Sequence, residues 1–185
     1  MRIKILFDCR CCQIHKNRGI DNYFQGIISS LLLTKKVSAS LLISQDLPFP
    51  DLKGGLQSLN ILKLEDFNKV SDKWDFLFKG DFFDVPLSDA YPISVLQHCE
   101  NIVGILYDLI PYLFPQNYLT NPVWVKRYCG QIEAAKYASH VFCISRQTFL
   151  HAKKYLMKAN SELDVIYAAI PQFQNDVKKN TVNSN

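Results

Sequence analysis

One run of residues limits what this chain can fold into more than any other: Ile102-Val103-Gly104-Ile105-Leu106, followed at once by Tyr107 and Asp108 and soon by Pro111. The run is apolar and rich in β-branched residues, as suits a strand buried on both faces of a helix-covered parallel sheet. Polar-tipped Tyr107 and Asp108 stand where the strand stops, and Pro111 cannot continue a ladder. Ligands of open parallel sheets bind in the crevice beyond the carboxyl ends of the strands. Asp108 is therefore placed where such proteins do their chemistry.

Around this run, strand and helix signals alternate. Ile3–Phe7 reads as a short buried strand ending at Asp8, followed by a loop over Cys9–Gly19. Ile20, Tyr23, Phe24, Ile27, Ile28, Leu31 and Leu32 then recur at three- and four-residue steps, which predicts a helix. Gly26 inside it costs about 1 kcal/mol relative to Ala. Strands are expected at Val37–Ser44, Ile61–Leu64 and Trp74–Lys79, with a Pro- and Gly-bearing loop between Gln45 and Leu59. Gly80–Pro92 reads as irregular and acidic, and Ser94–Cys99 as a brief helix. Asn121-Pro122 opens a helix running to Ala138, with Val125, Tyr128, Ile132 and Ala135 inward. His140–Ile144 is a further strand, Ser145 caps a helix over Arg146–Met157, and Asp164–Ala168 is the last strand. After Pro171 the chain turns polar and is expected to be disordered. The alternation predicts an α/β, Rossmann-like doubly wound fold: a mostly parallel sheet with helices on both faces. Residues 1–170 form one domain in this reading, and residues 171–185 a tail.

The formal charge of +4 is modest and the basic residues are scattered, so nothing points to nucleic acid. A weak attraction to anionic membrane surfaces is permitted. No apolar run has the length of a membrane span, and MRIKILFDC lacks the features of a signal peptide. Cytoplasmic residence is the default expectation, with peripheral contact at the inner membrane allowed. The six cysteines show no pairing framework.

Four constellations could carry chemistry. Arg18-Gly19-Ile20 leads straight into the first helix, where free N–H groups and a partial positive charge suit a phosphate. The plain alternative is a tight turn with a surface Arg, and no full G-x-G-x-x-G is present. Asp108, beside Tyr107, could accept a proton or orient a hydroxyl. Equally, its carboxylate could cap backbone N–H groups in the turn before Pro111. Cys9 and Cys12 have C-x-x-C spacing with His15 nearby, and His98 or Cys99 could join from elsewhere. A closed zinc site draws on two such pairs, and no second one exists. A redox dithiol wants its pair at the opening of a helix, which is expected only from Ile20; no metal is assigned. Ser145 lies at another carboxyl edge, as a helix cap before a nucleophile, because no G-x-S-x-G turn surrounds it.

In combination these blocks resemble a known family. Phe7-Asp8-Cys9-Arg10, Arg18-Gly19-Ile20 with Tyr23, Leu106-Tyr107-Asp108-Leu109-Ile110-Pro111, Phe114-Pro115, Tyr118-Leu119 and Cys143-Ile144-Ser145 are similar to the N-terminal half of family 4 glycosyltransferases. The resemblance implies one half of a GT-B fold and covers about residues 1 to 170. It implies that the turn at Arg18, Gly19 and Ile20, with Ser145, approaches the donor phosphates. Asp108 and Tyr107 would line the acceptor side. Tyr107 stands where many relatives carry His, and an unperturbed phenol stays protonated at neutral pH.

The function implied is retaining transfer of a hexose from a UDP- or GDP-sugar to a glycan or lipid-linked acceptor. Nothing after Pro171 has the length of the family's donor-binding domain. The chain is therefore expected to need a C-terminal domain or partner subunit, to bind no cofactor by itself and to be silent alone. The other readings are a non-catalytic glycan-binding or scaffolding domain that pairs with a partner transferase, and a zinc or thiol-redox domain.

Overall fold

The computed structural model describes residues 2–83, 92–156 and 162–167. In chain order it runs β1 (Ile3–Asp8), α1 (Arg10–Ile14), α2 (Gly19–Leu33), β2 (Val37–Ile43), β3 (Asn60–Lys63), β4 (Trp74–Lys79) and α3 (Ile93–Leu96). It continues with β5 (Cys99–Leu106), α4 (Ile110–Leu113), α5 (Pro115–Tyr118), α6 (Pro122–Ala135), β6 (His140–Cys143), α7 (Arg146–Tyr155) and β7 (Glu162–Val165). Short 3₁₀ turns at Leu56–Ser58 and Leu64–Lys69 flank β3. The strands form one sheet in the order β3-β2-β1-β4-β5-β6-β7, every pair parallel. The expected doubly wound α/β fold is what the chain adopts.

Strand alternation sends successive side chains to opposite faces. On one face α2 packs Phe24 and Ile28 against Phe7, Leu41 and Phe78. On the other, Leu6, Leu42 and Leu77 meet Phe67 and Val95. Farther along, Leu106, Val141 and Cys143 meet Ile132, Ala135 and Ala152. Right-handed crossovers account for this division. The β1–β2 connection lies on one side, and the connections from β4 onward lie on the other. The α2 side of β4, β5 and β6 therefore receives no crossover helix. A cavity of about 590 Å³ opens there, lined by Ile3, Ile5, Phe76, Phe78, Val103 and Phe142 among others.

Two glycines are fixed by packing. A Cβ on Gly104 in β5 would lie 2.5 Å from the Phe82 ring, and one on Gly80, just past β4, would collide with Cys11 Sγ and the Phe24 ring. Close approach rather than turn geometry is what glycine supplies at both positions.

The structure corrects the sequence reading in several places. The stretch expected as a loop from Cys9 contains α1, whose Arg10, Cys11, Cys12 and Gln13 are all buried. A helix covered all round shows no amphipathic period, so the pattern could not reveal it. Gln13 fixes it to β2: its Oε1 accepts from Ser44 N–H and its Nε2 donates to the Ser44 carbonyl, both at 2.8 Å. Val125, expected inward, is exposed, because the first turns of α6 project past the sheet. The brief helix near Ser94 ends at Leu96, and Cys99 already opens β5. The 3₁₀ turn over Leu64–Lys69 had no periodic signal either. The helix expected to reach Met157 ends at Tyr155, and the last strand, expected over Asp164–Ala168, runs Glu162–Val165, where its pairing with β6 sets its register. Residues 84–91 of the stretch Gly80–Pro92 and the tail 171–185 lie outside the described residues.

Candidate functional site

The sheet order reverses direction between β1 and β4, the topological switch point at which such sheets open a crevice. β1 ends there in Asp8 and β4 in Lys79. Asp8 Oδ1 accepts from Arg10 Nε at 2.8 Å, and Oδ2 accepts from Arg10 at 2.7 Å and from Lys79 Nζ at 2.8 Å. All three side chains are buried, Lys79 at 1% exposure. Burial works to raise the Asp8 pKa, but the charges and hydrogen bonds of Arg10 and Lys79 overcome it and hold the carboxyl well below its usual range. Lys79 lies below the ordinary amine range, since burial disfavours its charge more than Asp8 restores it. This cluster seals the floor of the crevice. In the sequence Asp8 and Arg10 stand out only as part of a motif, and Lys79 carries no expected role beyond ending a strand. Asp8 and Lys79 each close an apolar strand, which is the one signal that could have flagged them.

The rim is built from α2, the residue pair after β5, and the start of α7. The turn into α2 is fixed from within: Asn17 takes a left-handed φ of 61°, and its N–H donates to Asp21 Oδ2 at 2.7 Å. Asp21 is itself held by Gln25 Nε2 at 2.6 Å. Arg18 is the N-cap and makes no side-chain capping bond, so its exposed guanidinium leaves the helix end open. A Cβ on Gly19 would meet nothing within 4 Å, and its φ is ordinary. Unlike Gly80 and Gly104, Gly19 is not demanded by the protein's own packing. Ile20 is half-buried and packs on the α2-side core.

Tyr107 and Asp108 follow β5 directly. The Tyr107 ring meets Tyr23 edge-on at 6.2 Å, and Tyr23 donates its hydroxyl to the Ile166 carbonyl at 3.1 Å. The first turns of α2 and the tips of β5 and β7 thus share one edge of the sheet. Asp108 is exposed, and its Oδ1 accepts the Ile110 N–H at 2.9 Å. The capping geometry is therefore present, and Oδ2 makes no hydrogen bond among the described residues. No hydrogen bond or ring contact among the described residues joins Arg18, Gly19 or Ile20 directly to Asp108. The connection runs through Tyr23 and Tyr107.

Ser145 is committed to structure. Its Oγ accepts the Thr148 N–H at 3.0 Å and lies 2.9 Å from the Thr148 hydroxyl, which in turn donates to the Tyr107 carbonyl. Ser145→Ala is expected to lower stability by about 1 kcal/mol, the usual worth of an N-cap. Urea unfolding reads this directly. An unchanged midpoint would mean that the hydroxyl serves something other than the helix.

Cys9 caps α1 and Cys12 lies inside it, so the pair does open a helix, contrary to expectation. Both thiols are nonetheless buried. A hydrogen bond from Cys12 favours the Cys9 thiolate, but burial and the neighbouring Cys11, Asp8 and Asp21 outweigh it and push the thiol up. Cys12 is pushed up further, because burial and the bond with Cys9 override the favourable bond with Cys11. Neither thiol has the reactive character of a redox centre. Among the described residues no group of three or more His, Cys, Asp or Glu side chains could hold a metal ion.

No family model matches the chain, and no curated protein does. Solved structures do. TcCGT1 in complex with UDP aligns over 90% of this chain and 51% of its own, with a TM-score of 0.58 and 11% identity. An alpha-glucosyltransferase in complex with UDP and a 13-mer DNA containing a HMU base aligns over 88% of this chain and 42% of its own, with a TM-score of 0.50 and 13% identity. The chain thus spans about half the length of either neighbour or less, and what it has in common with them is the fold, a parallel, Rossmann-like α/β layer.

Proposed function

We propose that this chain is the N-terminal, acceptor-side half of a GT-B glycosyltransferase that moves a hexose from a UDP- or GDP-sugar to a hydroxyl of a glycan or lipid-linked acceptor. The observation that carries the reading is the rim itself. An uncapped helix end at Gly19, open to close approach, shares a sheet edge with the exposed Asp108. The two UDP-bound neighbours of the same fold support a nucleotide-sugar as the co-substrate.

In transfer, the acceptor oxygen bonds to the anomeric carbon as the bond to the diphosphate breaks, and negative charge builds on the leaving group. The N-terminus of α2 offers backbone N–H groups and a positive dipole end to that charge. Arg18 adds a guanidinium fork for phosphate. Asp108 orients the acceptor hydroxyl through Oδ2, its other oxygen being held by Ile110. Tyr107 positions the rim by packing on Tyr23 rather than by taking the proton. The domain is assigned to residues 1–170, with the donor-binding half on a C-terminal domain or partner subunit and the sugar transferred with retention.

The test pairs this chain with the donor-binding partner recovered from its source cells by pull-down. UDP- and GDP-sugars are supplied, and the anomeric configuration of the product is read by NMR. Asp108→Ala and Gly19→Val are each expected to cut turnover by roughly 100-fold or more, as loss of a positioned group or of transition-state charge stabilisation does. Turnover unchanged by both would remove the site assignment. Glycan binding without turnover in the reconstituted pair would favour the non-catalytic reading.

A further inference from the structure

We infer that Tyr128, Asp81 and Asp108 form a subsite for a neutral, hydroxyl-rich sugar that excludes phosphate and carboxylate groups; the inference rests on the acceptor-side reading and names its substrate class. Asp81 and Asp108 each stand two residues beyond the end of a strand, and those strands, β4 and β5, are neighbours in the sheet. Each carboxylate is held by a backbone N–H two residues on. Asp81 Oδ1 accepts from Phe83 at 3.3 Å, and Asp108 Oδ1 from Ile110 at 2.9 Å. The Phe83 carbonyl accepts from Nε2 of buried Gln131 at 2.8 Å, and the Phe83 ring stacks on Tyr128 at 4.7 Å. Helix α6, which carries both Tyr128 and Gln131, thus sets the phenol against the ends of both strands.

The Tyr128 hydroxyl carries the argument. Its oxygen is buried and makes no hydrogen bond among the described residues. Burial first, and then the Asp108 and Asp81 carboxylates, push its pKa up, so the phenol keeps its proton. It faces two carboxylates and bonds to neither. Buried hydroxyls normally have a partner, and a bond left unmade is costly to the fold. A ligand hydroxyl completes the set, because it accepts from the phenol and donates to a carboxylate at once. A carboxylate only accepts, and a phosphate carries the same sign of charge, so each would meet two like charges here. An ammonium group only donates and leaves the phenol proton unused. Asp108 is exposed while the phenol oxygen is shut off from solvent, so a sugar that reaches both enters with one hydroxyl leading.

Saturation-transfer NMR on the chain alone reads the subsite directly. Glucose, galactose and mannose are each compared with their uronates at about 100 mM, far above a millimolar Kd. At least one neutral sugar is expected to bind, and its uronate roughly tenfold or more weakly, because like charges are brought together. Tyr128→Phe should weaken the neutral sugar roughly fivefold, as loss of one hydrogen bond does. Its sugar-free unfolding midpoint should stay level or rise, since the free chain makes no bond through that oxygen. Asp81→Asn should bring sugar and uronate closer together by removing one repelling charge. No transfer from any neutral sugar overturns the proposal, as does a uronate that binds equally well or binding that ignores Tyr128→Phe. A lowered midpoint in Tyr128→Phe also overturns it, by placing the hydroxyl in a bond of the fold. The transferase reading fails separately. Sugar binding that Tyr128→Phe weakens, with no turnover in the reconstituted pair, leaves the subsite standing. Turnover whose acceptor KM ignores Tyr128→Phe removes the subsite alone.

Discussion

Asp8→Ala is expected to cost about 3–5 kcal/mol, the usual result of breaking a buried ion pair from one side. That is a large share of the roughly 5–15 kcal/mol by which a domain is stable. The substitution removes the carboxylate shared by Arg10 and Lys79 at 2.7 and 2.8 Å, and it does so in the middle of the sheet. Asp8→Asn with Lys79→Met should cost less than the two singles together, because the double change strands only Arg10, whereas Asp8→Asn alone strands two cations side by side. The same cluster sets an acid limit. The folded Asp8 carboxyl lies below its unfolded value of about 3.9, so its contribution is complete above that pH and is lost as the pH falls toward the folded value. Urea midpoints followed from about pH 6 down into the acid range should fall more steeply in the wild type than in Asp8→Asn. Parallel slopes in the two proteins would mean that the ion cluster is not what acid attacks.

Phe24→Ala is expected to cost about 3–5 kcal/mol by opening a cavity at the join of α2 and the sheet. Phe24 has no exposed surface and meets the Phe7 and Phe78 rings at 6.0 and 5.6 Å, both edge-on. It also fills the space over Gly80, where an added Cβ would come within 2.6 Å of its ring. Gly80→Ala alone should therefore cost about 1–3 kcal/mol through overpacking. The Phe24→Ala/Gly80→Ala pair should cost less than the sum, since the smaller residue makes room for the new methyl group. A strictly additive pair in chemical denaturation would show that Cys11 Sγ, not Phe24, is what holds position 80 to glycine.

What could be read from the chain follows the range of the interactions involved. Most strands carry an apolar run of their own and are legible near their true bounds, whereas β7, Glu-Leu-Asp-Val, has none and is expected two to three residues too late. Asn121 and Ser145 announced their helices because a cap acts over only two or three residues, and both make the capping bond. The position of Tyr107 and Asp108 at a strand tip was legible for the same reason. The crevice floor was not, because Asp8 and Lys79 come together only when β1 and β4 pair. Helix α1 escaped notice since burial on every side leaves no period, and Val125 misled because its stripe is correct while its turn overhangs the sheet. The meeting of Tyr23 with Tyr107 likewise depends on a packing that spacing along the chain does not encode.

The placement of β1 sets the order in which the molecule can assemble. It precedes the other strands of the sheet in the chain, yet it ends up between β2 and β4, so one edge waits while the chain through Lys79 is made. Arg10, the partner of Asp8, is two residues away in the chain, whereas Lys79 comes only with the strand that closes the open edge. Long-range parallel pairing of this kind is slow, because loop closure comes before its reward. Arg10 thus accompanies an acid that would otherwise be stranded in a half-built sheet, and the arrival of Lys79 locks the two halves together.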